Sequence, residues 1–476
     1  MWLSGAACGD SALTGASAEE DSSLEKHLGG GAASSDLLQP ALSTPVLPMG
    51  QVIDAAVAST AGDAGTDGAV PQLAATQPSR SLFVCVGDVS ADRHAARLIE
   101  RLKSTASVKI WGVGGSQMEA AGAQLLYNRE SMAVIGLVEV LRYLPKLAKM
   151  RADLLRKIRE EKPDAVLLMD FGGFNIGFAT LIRKQMKDIP IIYFISPQVW
   201  GSRPWRINVL ARAVTRMLVI FPFEEALYRR KGVAARFVGH PLTTLFKPEE
   251  QRPTHSQFCA QHGFDPQRPI IGVFPGSRPA EIEKHAPVVL QAINWLRKER
   301  PELQFIVSTT NQVFADALYR EIDQAGYNHL VGSTLKTISS EFNEELMTHA
   351  EILWTKSGTT TLEATLIGKP MIIFYRANWL SFIIFLMFKT VKNVGWPNLL
   401  AGEELVPELI QLDCRADKLV RYTLDWLDVP PLRDELSARL RQLRGHLGEG
   451  EFTDNAATEI LDVLGLDACR TGANKP

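Results

Sequence analysis

Cysteine is scarce and unpatterned in this chain: Cys8, Cys85, Cys259, Cys414 and Cys469 are odd in number, far apart, and form no C-x-x-C pair. That argues against a disulfide framework and a cysteine-built structural zinc, and it fits a reducing compartment. An excess of one charge is lacking too. The 51 Lys and Arg against 53 Asp and Glu leave a formal net charge of −2, whereas a dedicated nucleic-acid binder carries a marked basic surplus. Long apolar runs are missing: the longest, Trp379 to Phe388, is about half the roughly 20 residues a membrane-crossing helix needs. Residues 1–79 lack hydrophobic periodicity and nearly all aromatics, and are rich in Ala, Gly, Ser and Thr. They read as a disordered low-complexity extension. Lys26 is the only Lys or Arg before Arg80, and Asp10, Glu19, Glu20, Asp21 and Glu25 intervene, so neither a secretory signal nor a transit peptide is expected.

From Arg80 onward short apolar runs alternate with helical patterns. Ser81 to Gly87, Val108 to Val113, Ala165 to Met169 and Ile191 to Ile195 each end in Gly, Ser, Asp or Pro. After a polar stretch from Thr243 to Gln267, a second series begins with Ile270 to Phe274, Gln304 to Ser308, Glu351 to Thr355 and Pro370 to Tyr375. Strands alternating with helices imply parallel sheets with crossover helices, whose ligands bind at the carboxyl ends of the strands. The 476 residues exceed what one core organises. The expected fold is α/β, with two Rossmann-like lobes and a central cleft: residues 80–245, then 246–427, followed by C-terminal helices in 428–476 that pack back on the first lobe.

The second lobe carries the sharper motifs. Pro275-Gly276-Ser277-Arg278 follows a strand and precedes a helix. Its glycine turn exposes backbone N–H groups and its arginine can pair bidentately with phosphate oxygens, which points to a diphosphate site. A tight turn with a surface arginine is the plain alternative. Ser357-Gly358-Thr359-Thr360 also follows a strand and opens a helix, and Glu363 lies in that helix's first turns. The hydroxyls and amides suit a second part of the diphosphate. The Glu363 carboxylate suits a ribose, or is an ordinary carboxylate placed on the helix dipole. Gly239-His240-Pro241 closes the first lobe, and His240 is either a contact to the bound donor or a hydrogen-bonded structural histidine.

These residues and others in order resemble the lipid-A-disaccharide synthase family, glycosyltransferases of the two-lobed GT-B fold. The resemblance runs from about Leu82 to Leu466. It rests on Gly87-Asp88-Val89-Ser90-Ala91-Asp92, Gly114-Gly115-Ser116, Met132 to Val140, Ile195-Ser196-Pro197-Gln198-Val199-Trp200, Phe221-Pro222-Phe223-Glu224, Val238-Gly239-His240-Pro241, the two phosphate turns, and Pro397-Asn398-Leu399-Leu400-Ala401-Gly402. The resemblance implies a metal-independent, inverting transfer without cofactor. A diacylglucosamine unit leaves UDP and joins the 6-hydroxyl of a diacylglucosamine 1-phosphate lipid. It also implies a cytoplasmic enzyme, peripheral on the inner face of the inner membrane, with a homodimer left open. Asn398 matches a family position needed for activity.

The sequence departs from the family where a general base belongs. The family's D-x-P-D-F-N reads here Asp170-Phe171-Gly172-Gly173-Phe174-Asn175, so Gly173 replaces the second carboxylate, commonly regarded as the base. Asp170 and Asp88 are the candidates for that role, and either acid can instead be structural. The rival readings are a non-catalytic or acceptor-altered homologue that keeps the nucleotide-sugar pocket, and a nucleotide-sugar epimerase on the same fold. Met132 to Arg159, basic and amphipathic, reads as a membrane-facing segment or as a core helix with a charged face. The run Phe382 to Phe388 reads as a docking patch or a buried helix.

Overall fold

The computed structural model describes residues 80–128, 137–201, 203–244, 246, 248–448 and 450–466, with the backbone alone for 137–144, 249, 381 and 384. The expected N-terminal disorder, Cys8, Cys469 and the stretch from Met132 to Gly136 lie outside the described residues. Among those described, no helix is long and apolar enough to cross a membrane.

In the first lobe β1 (Arg80–Val86), α1 (Val89–Thr105), β2 (Val108–Gly114), α2 (Ser116–Ala120), β3 (Gln124–Asn128), α3 (Leu137–Glu161), β4 (Ala165–Met169), α4 (Gly172–Gln185), β5 (Ile191–Phe194), α5 (Trp205–Ala213), β6 (Arg216–Val219), α6 (Pro222–Arg229) and β7 (Ala234–Phe237) follow one another. They form a parallel sheet ordered β3-β2-β1-β4-β5-β6-β7. Every residue of β4 and β5 is buried, as expected for central strands covered by helices on both faces.

The second lobe runs α7 (His255–His262), β8 (Ile270–Phe274), α8 (Pro279–Glu299), β9 (Gln304–Thr309), α9 (Gln312–Gln324), β10 (Leu335–Ser339), α10 (Asn343–His349), β11 (Ile352–Lys356), α11 (Thr359–Ile367), β12 (Met371–Tyr375), α12 (Trp379–Phe388), α13 (Trp396–Ala401) and β13 (Glu408–Ile410). Its parallel sheet is ordered β10-β9-β8-β11-β12-β13. In both sheets the strand order reverses beside the first strand, between β1 and β4 and between β8 and β11. A crevice opens at the carboxyl ends of such a pair, so the fold offers two of them: one after Val86 and Met169, one after Phe274 and Lys356.

The last three helices among the described residues are α14 (Ala416–Asp428), α15 (Pro430–Gly445) and α16 (Phe452–Val463). The expectation that everything beyond residue 428 packs on the first lobe needs correction. Leu436, Leu440 and Leu443 put α15 into the core of the second lobe. Only α16 crosses back, burying Phe452, Ala456, Ile460 and Leu461 in the first lobe's core. Arg101 pairs there with Asp454 at 2.5 Å, and Arg80 Nε donates to the Leu464 carbonyl at 2.8 Å. The described half of α3 is a core helix: Met150, Leu154, Leu155 and Ile158 are buried, and Arg156 and Lys157 pair with Glu160. The helix α12 differs, as it leaves Trp379, Leu380, Ile383, Leu386 and Met387 at least half exposed.

Candidate functional site

Asp88 and Asp170 follow β1 and β4, so the first lobe's crevice brings together two carboxyls that lie far apart in sequence. Asp170 and Phe171 both adopt left-handed backbone, with φ of 43° and 48°, a region sparsely used by such residues and held only where the surroundings dictate it. Those surroundings are specific. Tyr193 Oη donates to the Asp170 carbonyl at 2.6 Å. The buried Asn175 amide donates to the carbonyls of Met169 and Asp170, each at 3.1 Å, and reaches that of Cys85 at 3.4 Å. The Phe171 ring lies against Gly87, where a Cβ would stand 2.1 Å from the ring.

The two carboxyls are neighbours in this crevice. Burial first, then the neighbouring Asp88, pushes Asp170 up to about 7, against the pull of the Phe171 amide. Gly173 begins no such contact, and a Cβ built there meets nothing within 4 Å. Space is therefore not what keeps the family's second carboxylate out. Asp92, the other acid of the first motif, is consumed structurally: it accepts from the amides of Gly115 at 2.7 Å and Gln117 at 3.2 Å.

In the second lobe the turn after β8 is held by Glu281. Gly276 has φ of +139°, and a Cβ there would lie 2.3 Å from the Glu281 carboxylate, so the turn needs glycine. Glu281 accepts from the Ser277 amide at 2.8 Å and pairs with Lys356 at 3.1 Å. Burial raises the Glu281 carboxyl, but that amide and Lys356 outweigh it and hold the pKa below its usual value. His285 donates from Nδ1 to the Pro275 carbonyl at 2.7 Å while Nε2 accepts from the Arg376 amide at 3.0 Å. That arrangement fixes its tautomer and ties the turn to the end of β12.

Arg278, Glu281, Lys356, Ser357 and Gly358 line a pocket of about 820 Å³ that is open to solvent, together with the apolar Phe382, Phe385, Val391, Leu399 and Ile410. Arg278, Ser357 and Gly358 thus meet, with Gly276 and Ser277 shaping the turn beneath. Thr359, Thr360 and Glu363 sit beyond this lining on α11, where burial raises the Glu363 carboxyl. Sequence reasoning missed Lys356 and His285. Their signals were Lys356 immediately before Ser357, and His285 one helical turn after Glu281.

Two candidates lie apart from the pocket. His240 is buried in the first lobe with its ring 5.0 Å from Phe221. Its Nδ1 accepts from the Leu242 amide at 3.1 Å, leaving the proton on Nε2. Burial, then His94, pushes its pKa down to about 3, so it is neutral. Asn398, expected to be catalytic, is fully buried. Its Oδ1 accepts from the amides of Leu405 and Val406, and its Nδ2 donates to the Val406 carbonyl and to Glu408. With every bonding position used inside the protein, this side chain positions its neighbours and does not reach the cleft. The lobes are joined beside it, where Trp396 stacks on Phe221 at 4.1 Å and the Thr390 amide donates to the Gly201 carbonyl at 3.3 Å. Among the described residues, no group of three or more His, Cys, Asp or Glu is placed to hold a metal ion.

The fold is shared with solved structures of low identity. The S. aureus MnaA–UDP co-structure is 13% identical with a TM-score of 0.56, covering 83% of this chain and 99% of that one. The Neisseria meningitidis UDP-GlcNAc 2-epimerase bound to UDP-GlcNAc is 13% identical with a TM-score of 0.53, covering 80% and 100%. The sequence itself is similar to the lipid-A-disaccharide synthase of Geobacter metallireducens, 35% identical over 82% of this chain and 99% of the relative. It is also 32% identical to lipid-A-disaccharide synthase 1 of Legionella pneumophila, over 79% and 95%. The lipid-A-disaccharide synthetase family model matches residues 82–427, and with these relatives it shows that the chain belongs to the lipid-A-disaccharide synthase family.

Proposed function

We propose that this enzyme transfers a diacylglucosaminyl unit from UDP-2,3-diacylglucosamine to the 6-hydroxyl of 2,3-diacylglucosamine 1-phosphate, forming lipid A disaccharide and releasing UDP. The observation that carries the mechanism is the Asp88–Asp170 pair at one switch point with the cationic turn of Arg278 and Lys356 at the other. The acceptor oxygen forms the bond to the anomeric carbon of the donor as the bond to the UDP oxygen breaks, with inversion at that carbon. Asp170 takes the hydroxyl proton, and its pKa near 7 suits a general base at neutral pH. Arg278, with the helix N-terminus at Ser357 to Thr360, stabilises the charge that develops on the departing diphosphate. Glu281 and His285 hold the turn that aims Arg278.

Turnover of the purified protein with both lipids in detergent, with the disaccharide identified by mass spectrometry, tests the reaction; UDP binding without product would reject it. Arg278→Ala is expected to weaken UDP binding by roughly 10- to 100-fold, the loss of a charge-assisted pair. Calorimetry showing unchanged affinity would remove Arg278 from the site.

The outward face of α12 supplies the lipid side of this reading. Leu386 and Met387 are 51% and 73% exposed, while Phe382 and Phe385 of the same helix line the pocket. A helix apolar all round, with one side in a pocket and the other in solvent, suits a peripheral contact with the inner face of the inner membrane. Leu386→Ser/Met387→Ser should lower cosedimentation with anionic vesicles several-fold. Full retention of binding would locate the contact elsewhere.

A further inference from the structure

Where the family pattern has a proline and an aspartate, this chain has Gly172 and Gly173. The packing gives the first of these a reason. A Cβ built on Gly172 would stand 2.9 Å from the Cβ of Pro197, well inside the roughly 3.5–4.0 Å at which carbon atoms pack. The start of α4 therefore meets the turn after β5 with its backbone, and a residue carrying a β-carbon keeps that contact only if one side moves.

The turn after β5 is the side that does not move. Ile195 has φ of 59°, a left-handed conformation that a β-branched residue holds only under constraint. Its amide donates to the Leu218 carbonyl at 3.1 Å, and the Val199 amide donates to the Pro197 carbonyl at 2.6 Å. Between them the buried hydroxyls of Ser196 and Tyr228 hydrogen-bond at 2.7 Å. A side chain at position 172 would accordingly displace the start of α4, and with it Phe171 and Asp170. On the opposite side the Phe171 ring lies against Gly87. Because β4 runs between β1 and β5, the Asp170 loop is wedged between the turns that follow those two strands, with a glycine at each contact.

This seating decides which acid of the motif can work. Asp170 is half-buried at the end of β4, with its carbonyl held by Tyr193 and Asn175. Gly173 is exposed, and a Cβ there meets nothing within 4 Å. A carboxylate at position 173 would stand in solvent, so the fold presents the first acid of the motif and not the second.

We propose that Gly172 and Pro197 are positioning residues for the general base: their contact selects the loop seating that puts Asp170 in the crevice and turns position 173 outward. The assignment rests on the reading of Asp170 as the base. The test uses the full chain in neutral detergent with both lipid substrates, and compares Gly172→Ala alone with Gly172→Ala combined with Pro197→Gly or Pro197→Ala. Gly172→Ala should lower kcat by roughly 100-fold, the cost of misplacing a reacting group by about 1 Å, with donor KM and UDP affinity unchanged. Pro197→Gly removes the opposing β-carbon and should recover much of that loss, whereas Pro197→Ala keeps the carbon and should recover none. The acid limb of the rate, held near pH 7 by burial and then Asp88, should move to lower pH in Gly172→Ala as the loop opens. A merely unstable protein would lose amplitude and keep the limb. In the Asp170→Asn background, adding Gly173→Asp should restore no turnover.

Wild-type kcat in Gly172→Ala, a loss that Pro197→Gly does not relieve, or rescue of Asp170→Asn by Gly173→Asp would each overturn the assignment. If Gly172→Ala does not fold, the Asp170→Asn/Gly173→Asp variant carries the test, since it leaves the Pro197 contact intact. Asp170→Asn by itself separates the two readings. Wild-type turnover in that variant rejects the base, whereas lost turnover beside an unaffected Gly172→Ala keeps the base and rejects the positioning.

Discussion

Asp170→Asn is expected to cut turnover by roughly 10²- to 10⁴-fold, the span a positioned general base contributes, and at the same time to make the protein more stable at neutral and alkaline pH. The second effect follows from the same carboxyl. In the folded chain Asp170 titrates near 7 because it is buried and faces Asp88, whereas in the unfolded chain an aspartate titrates near 3.9. The folded state therefore binds the extra proton between these values. Stability is fully present below about pH 4, falls as pH rises toward 7, and stays at the lower level above it. Asparagine keeps the shape without ever ionising. The melting temperature of Asp170→Asn should match wild type below about pH 4 and exceed it at pH 8, by on the order of a few degrees. The wild-type rate should fall about tenfold per pH unit below 7, and Asp88→Asn should move that limb to lower pH. An unshifted limb, or wild-type turnover in Asp170→Asn, would exclude the pair as the base.

The sheets were legible in the sequence because their central strands are buried on both faces and read as unbroken apolar runs: Ala165 to Met169 and Ile270 to Phe274 need no tertiary information. The shorter or outer strands were not legible. Gln124–Asn128 alternates only weakly between exposed and half-buried positions, and Arg216–Val219 is four residues long. The phosphate turns could be read because a glycine turn after a strand is local chemistry. What holds those turns is not local. His285 reaches two loops from inside a helix, and Lys356 acquires its meaning only when β11 lies beside β8 and meets Glu281. The acid pair shows the same limit. Asp88 and Asp170 could each be suspected, but they come together only because β1 and β4 are neighbours at the reversal of strand order. Likewise the expectation of C-terminal helices in 428–476 could not show that the first stays on the second lobe while the last crosses to the first.

Asn398→Ala is expected to lower both stability and donor affinity while leaving the pH dependence of the rate where it was. The wild-type amide satisfies the Leu405 and Val406 amides at 2.7 and 2.9 Å, the Val406 carbonyl at 2.9 Å and Glu408 at 2.8 Å. Alanine leaves these groups unpaired in a buried site, at about 1–3 kcal/mol for each that finds no new partner. Glu408 also accepts from the Val394 and Gly395 amides, and Val394 lines the donor pocket beside Leu399. The damage therefore travels from Asn398 through Glu408 to the pocket wall and to Trp396, whose stacking on Phe221 joins the lobes. A positioning residue predicts a drop of several degrees in melting temperature, a raised Kd for UDP, and a rate limb still near pH 7. A catalytic Asn398 predicts the opposite pattern, with lost turnover at unchanged stability and unchanged UDP affinity. Thermal melts and UDP calorimetry on this one variant decide between them, because an amide whose every bonding position is occupied inside the protein has nothing left to offer a substrate.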